Sequence, residues 1–91
     1  MSSVRIPPVL RENVGGQRSV EASGGTVSEV LDQLFAAYPS LGARVTEEGR
    51  LSQFVNVYVN DRDVRYQRGL DTAVGPNDTV ILLPAMAGGS D

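Results

Sequence analysis

The residues whose types could serve chemistry in this 91-residue chain lie at its end, in TVILLPAMAGGSD (79–91). An apolar run stops at Pro84, passes through Ala85, Met86 and Ala87, and reaches Gly88 and Gly89 before Ser90 and Asp91. Alanine, methionine and glycine offer no acid, base or nucleophile; what they present is backbone. Glycine has no Cβ and high backbone freedom, so a second molecule can approach the Gly89 carbonyl closely. Such a tail could thread a narrow channel in another enzyme. Most chain ends merely fray, and glycine pairs also occur at 15–16 and 24–25. Position is what separates this pair: a slender tail leaves directly from an apolar strand that can anchor it.

The remaining inventory is poor in catalytic groups. There is no cysteine, which excludes a disulfide, an iron–sulfur cluster, a thiolate zinc site and a cysteine nucleophile. There is no histidine, so a Ser-His-Asp device cannot be assembled. The formal net charge is −3, and the eight cationic side chains are all arginine, with no basic block among them. A nucleic-acid partner is therefore not expected. No charged-then-apolar leader opens the chain, and no apolar run approaches the roughly 20 residues that span a bilayer. The expectation is a soluble, cytoplasmic, single-domain protein with no membrane partner.

The elements that must hold the tail are short. VRIPPVL (4–10) opens with Val4 and Ile6 on one side and Arg5 on the other, a strand pattern. Pro7 and Pro8 lack ladder donors, so the strand must bend or leave its partner there. RSVEA (18–22) is a second extended run, and the Gly15-Gly16 loop predicts a β-hairpin. In GGTVSEVLDQLFAAYP (24–39), Thr26 is an N-cap and Glu29 completes a capping-box spacing. Val27, Val30, Leu31, Leu34, Phe35 and Tyr38 form one apolar stripe, which core packing must cover. Pro39 closes that helix. Residues 39–53 read as a connector with a helical turn around Leu41 to Val45.

FVNVYVNDRDV (54–64) alternates cleanly, with Val55, Val57 and Val59 on one face and Phe54, Asn56 and Tyr58 on the other. Asn60-Asp61 is turn chemistry, and Asp63 to Tyr66 reads as a short return strand. LDTAV (70–74) reads as a helical turn, GPND (75–78) as another turn, and TVILLP (79–84) as the last strand, with Pro84 ending its pairing. The order is β-β-α-β-β-β, an α+β arrangement in which one main helix covers one face of a mixed sheet of about five strands. Residues 1–84 form the compact domain and 85–91 a flexible tail. Val80 and Leu82 point toward the helix, Ile81 and Leu83 away from it. Phe54, Tyr58, Ile81 and Leu83 thus make a candidate partner-binding patch, flanked by Arg62, Arg65 and Arg68; a shift of one residue in strand parity would turn the patch into core.

The element order, the helix position, FVNVYVNDRDV and PNDTVILLPAMAGG resemble the ubiquitin-like sulfur carriers of bacteria over nearly the whole chain. That family includes the thiamine-synthesis carrier, the small subunit of molybdopterin synthase and the carrier used with a cysteine synthase; the wording around residues 54–65 is most like the last. The resemblance implies a β-grasp fold. It also implies a mechanism. A ubiquitin-activating-like adenylyltransferase uses ATP to form an acyl-adenylate on Gly89, and sulfur then replaces one carboxylate oxygen to give a thiocarboxylate. A free α-carboxyl group, with a pKa of roughly 3.3–3.7, is an anion near neutral pH and a poor electrophile, so adenylation supplies its leaving group. By this resemblance the carrier is a protein cosubstrate and not an enzyme, binds no cofactor or metal of its own, and has no catalytic residue.

Gly88, Ala87 and Met86 would form the slender tail, and the sulfur would pass to a cysteine synthase first, with a thiazole synthase, molybdopterin or a sulfur-containing secondary metabolite as further destinations. The sequence departs from the family pattern in Ser90 and Asp91, because the active form of the family ends in Gly-Gly. A zinc-dependent processing peptidase is expected to cut between Gly89 and Ser90. Two other readings stand beside the carrier: a small protein modifier joined to target lysines through the same glycine, and a noncovalent β-grasp interaction module. A ferredoxin-type β-grasp is excluded for want of cluster ligands.

Overall fold

Thr26 sets the start of the main helix, α1 (Val27–Ala37). Its backbone is extended and its Oγ1 accepts a hydrogen bond from the Glu29 amide at 3.2 Å, satisfying one of the free donors of the first turn. The Glu29 carboxylate reaches back to the Gly25 amide at 2.7 Å, one residue upstream of the usual reciprocal partner. Gly24 makes this close return possible. Its φ is +156°, and a Cβ there would lie 2.7 Å from the Val30 nitrogen. Along α1, Val27, Val30, Leu31 and Leu34 are buried, and Phe35 and Tyr38 pack against the core from its margin. The apolar stripe of the sequence is the buried face.

The structure, a computed structural model, describes residues 2–48, 50–52 and 55–84. In chain order its strands are β1 (Ser2–Arg5), β2 (Ser19–Ala22), β3 (Thr46–Glu47), β4 (Arg50–Leu51), β5 (Val55–Val59), β6 (Arg62–Asp63) and β7 (Thr79–Pro84). Five of them form one sheet in the order β2-β1-β7-β5-β6. Strands β1 and β7 are parallel, while β1–β2, β5–β7 and β5–β6 are antiparallel. The first and last strands of the sheet's chain order therefore lie side by side at its centre. Val4 stands level with Val20 and Val80, Val80 with Val59, and Leu82 with Val57. Residues level with one another share a face, and this row, with Ala22, is the floor on which α1 packs.

Three segments differ from the sequence expectation. Residues 39–53 are more than a connector. A second helix, α2 (Pro39–Val45), begins on a proline, whose missing N–H costs nothing in a first turn. It packs close to α1 because residue 42 is glycine: a Cβ there would sit 3.0 Å from the Phe35 Cβ. The two-residue strands β3 and β4 then pair with each other as a separate ribbon. Between β1 and β2 the loop contains a 3-10 helix (Pro8–Val14) that buries Leu10 and Val14 and ends on Gly15 at φ +69°. Finally, the return strand expected over Asp63 to Tyr66 stops at Asp63. The Asp63 carboxylate accepts the Arg65 amide at 2.9 Å and caps a 3-10 turn (Val64–Tyr66) in place of further strand. The expected end of pairing at Pro84 holds in outline, with the register running through Pro84, level with Val55. No helix among the described residues is long and apolar enough to cross a membrane.

Candidate functional site

Strand β7 is the third of five strands, and its alternation decides what each face of the sheet offers. Val80 and Leu82 are buried under the helix. Ile81 is half-buried on the opposite face, and Leu83 is 41% exposed there. The register places Tyr58 level with Ile81 and Asn56 level with Leu83. Three of the four residues singled out for the patch are thereby brought together on the face that α1 leaves bare. The fourth, Phe54, lies outside the described residues, as do Met86, Ala87, Gly88, Gly89 and Ser90. Residue 84, where the described chain ends, is at the same end of β7 as Leu83.

Two polar clusters fix the frame around this face. At the far end, Asn60 holds the β5–β6 turn onto β7. Its amide donates to the Thr79 carbonyl at 2.7 Å, and its side-chain oxygen accepts the Thr79 amide at 3.0 Å. Its Nδ2 donates to the Asp78 carboxylate at 3.1 Å, while Asp78 also accepts the Gly75 amide at 2.8 Å. These bonds, the Gly75 amide first and then Asn60, hold the Asp78 carboxyl below the usual aspartate value. Asn60 has φ +59°, a conformation that asparagine tolerates better than most residues.

The second cluster sits at the β6 edge. Asp63 stands level with Tyr58 and is only 8% exposed. Arg65 clamps it, with Nη2 2.7 Å and Nε 3.1 Å from Oδ2. The side-chain bonds from Arg65, joined by its backbone amide, lower the Asp63 carboxyl; the side-chain bonds and then the Asp63 charge raise the Arg65 guanidinium. The guanidinium also lies 6.0 Å from the centroid of the Tyr66 ring. Arg65 thus borders the face as expected. Arg62 and Arg68 instead line an open depression of about 560 Å³ at the Asn60 end, with Asp61, Asp71 and Asp78. That end is the one remote from Pro84.

Sequence reading missed Arg5 and Asp63 as members of this face. Arg5 is level with Ile81. Its outward direction was legible from alternation, but its neighbour depends on the parallel pairing of β1 with β7. Among the described residues no group of His, Cys, Asp and Glu is arranged to hold a metal.

Comparison with known proteins bears on what such a face belongs to. The ThiS family pattern matches residues 4–89 of the chain. The chain belongs to the ThiS family. The match ends at Gly89 and leaves Ser90 and Asp91 beyond it. Among curated relatives, the sulfur carrier protein CysO of Mycobacterium tuberculosis is 48% identical over 90 residues, covering 96% of this chain and 97% of that protein. Small archaeal modifier protein 3 of Haloferax volcanii is 38% identical over 89 residues, covering 94% and 96%. Among solved structures, the Amycolatopsis orientalis BexX/CysO complex contains a chain that superposes with a TM-score of 0.88 at 46% identity, covering 98% of this chain and all of that one. The fold of this ThiS-family chain is the ubiquitin-like β-grasp.

Proposed function

We propose that this ThiS-family chain is a sulfur carrier whose reactive group is the carboxylate of Gly89, exposed once Ser90 and Asp91 are removed. The observation that carries this reading is the 48% identity to a sulfur carrier over nearly the full length of both chains. With Ser90 and Asp91 attached, Gly89 has an amide and no carboxylate to adenylate, so a peptidase, zinc-dependent in the expected scheme, acts first. In activation, a Gly89 carboxylate oxygen attacks the α-phosphorus of ATP and pyrophosphate leaves. A sulfur nucleophile then attacks the acyl carbon, a C–S bond forms, the C–O bond to AMP breaks, and AMP departs. The carrier supplies the acyl group and the activating enzyme supplies catalysis and binds the ATP, so the carrier acts as cosubstrate.

Gly89 is five residues beyond Pro84. At roughly 3.3–3.6 Å per residue those five span at most about 18 Å, enough to enter a narrow channel while residues 1–84 dock outside it. The face bearing Tyr58, Ile81 and Leu83 is the docking surface in this reading, because it adjoins residue 84. The sulfur passes to an acceptor synthase, with cysteine as first product.

The test is intact mass after incubation with ATP, an activating enzyme and a sulfur source. A chain ending at Gly89 should gain the mass difference between sulfur and oxygen, and the chain ending at Asp91 should not. Equal charging of both would overturn the processing step. A second reading, protein modifier, is favoured by the 38% identity to small archaeal modifier protein 3. In that case an amine takes the acyl group, and larger adducts on other proteins would appear in place of the thiocarboxylate.

A further inference from the structure

A catalyst that works on the Gly89 acyl group must also admit the residues that lead to it. Strand β7 is paired up to its last residue, with Leu83 level with Asn56 and Pro84 level with Val55. The fold around it measures 35 × 30 × 24 Å. A body of that width stays outside a channel that passes a single chain, so the channel takes residues 85–89 and no more. Those five are Ala85, Met86, Ala87, Gly88 and Gly89. Glycine offers main chain alone, and alanine adds one methyl group. Peptide N–H and C=O groups are common to all chains, so contacts to them hold a tail without telling it from another. Met86 is the one side chain of the five that extends beyond Cβ.

Covalent distance decides which partner meets it. Met86 precedes Gly89 by three residues, at most about 11 Å of chain. The enzyme that binds the Gly89 carboxylate beside ATP therefore holds Met86 in the same act. Met86 follows Pro84 by two residues, at most about 7 Å, which sets it just inside the channel mouth when the body reaches the rim. Its chemistry suits that place. Methionine is unbranched at Cβ and carries a polarizable thioether on a flexible stem, so it fills an irregular apolar recess well. A β-branched residue is stiffer and wider at its root. Burying a side chain of this size changes affinity by roughly tenfold to a hundredfold.

We infer that Met86 is the specificity-determining side chain of the tail, seated in an apolar recess of the activating enzyme while Gly89 is adenylated. This inference rests on the carrier reading above, and the experiment keeps the two apart. With an adenylating enzyme that charges the unsubstituted chain ending at Gly89, KM for the carrier and kcat are measured by ATP–pyrophosphate exchange, with Tm recorded alongside. Met86→Ala should raise KM about tenfold or more with kcat and Tm held. Met86→Leu, apolar and of similar volume, should stay within about threefold of the unsubstituted chain. Met86→Gln, similar in length but polar, should be as poor as Met86→Ala. An unchanged KM for Met86→Ala overturns the inference, and so does a Gln variant that matches the Leu variant. A fall in Tm that tracks the rise in KM also overturns it, by showing that the side chain serves the fold. The control is a chain ending at Gly88, which keeps Met86 and lacks the residue assigned to react. If that chain supports exchange as well as the one ending at Gly89, the carrier reading fails and takes this inference with it. If it is silent while Met86→Ala keeps its KM, the assignment of Met86 fails alone.

Discussion

The two faces of the five-stranded sheet are built from the same strands and differ in almost every other respect. Leu82 and Leu83 are adjacent in sequence; Leu82 is fully buried under α1, and Leu83 is 41% exposed on the bare side. The covered face is entirely aliphatic at its centre, with Val4, Val57, Val80 and Leu82 nearly inaccessible. The bare face mixes Ile81 and Leu83 with Tyr58, Arg5 and the Asp63–Arg65 pair. The lesson is that a covered and an uncovered surface are separated by the period of two along a strand. Apolar residues on one side keep the domain folded, while those on the other form the face we propose for docking.

The sharpest way to break this comparison is a pair of matched truncations. Leu82→Ala should destabilise the domain by about 2–5 kcal/mol in urea unfolding, because it opens a cavity under α1. Leu83→Ala should change stability by no more than about 0.5 kcal/mol. Similar costs at the two positions would mean that the bare face is not bare in solution. A smaller effect is expected where α1 is fastened above the covered face. Gly24→Ala would place a Cβ 2.7 Å from the Val30 nitrogen and 2.8 Å from the Glu29 Cβ, at an unfavourable φ. Since main chain must shift to relieve the contact, a loss of about 1–3 kcal/mol is expected in the same assay. Gly15→Ala makes a useful contrast: its Cβ meets nothing within 4 Å, so only the φ of +69° opposes it.

The smallest effect should come from acid, and it sharpens the view of the bare face as held partly by charge. Asp63 and Asp78 both have folded-state pKa values below the ordinary aspartate value. A depressed folded pKa means that the unfolded chain takes up protons first as pH falls. The stabilisation is complete above the unfolded value of about 3.9, and is lost as pH drops from there through the lowered folded values. Urea midpoints measured from pH 6 downward should therefore fall in that acid range. Asp63→Asn and Asp78→Asn should each flatten the fall. An unaltered acid limb in both variants would show that neither carboxylate is linked to folding.

What could be read in advance from the sequence was whatever local alternation or helical spacing decides. The stripe from Val27 to Tyr38 and the in-out pattern of residues 55–59 and 79–83 gave the correct faces, because burial on one side is a strong and repeated demand. Residues 39–53 were less legible. There α2 depends on a close approach between Gly42 and Phe35, and the ribbon that follows is tied by the Ser52 amide to the Val45 carbonyl at 2.8 Å. Such contacts leave no periodic trace. The Asn60–Asp78 bond joins residues eighteen apart, so it appears only once β5 and β7 are known to be neighbours. Asp63 and Arg65 were visible as residues, but a strand was expected where the carboxylate instead capped a turn. The glycines of the candidate tail were legible by type alone, and their positions lie outside the described residues.

The place of β7 in the sheet has a mechanical consequence. Whatever follows residue 84 is tethered to the keystone of the assembly, which is laddered to β1 on one side and to β5 on the other. A pull directed along that strand loads its cross-strand bonds together, in shear, instead of peeling them one after another. A partner that grips the terminus can thus haul and reorient the entire body without unravelling it, as a hook set in the middle of a plank bears more than one set at its rim.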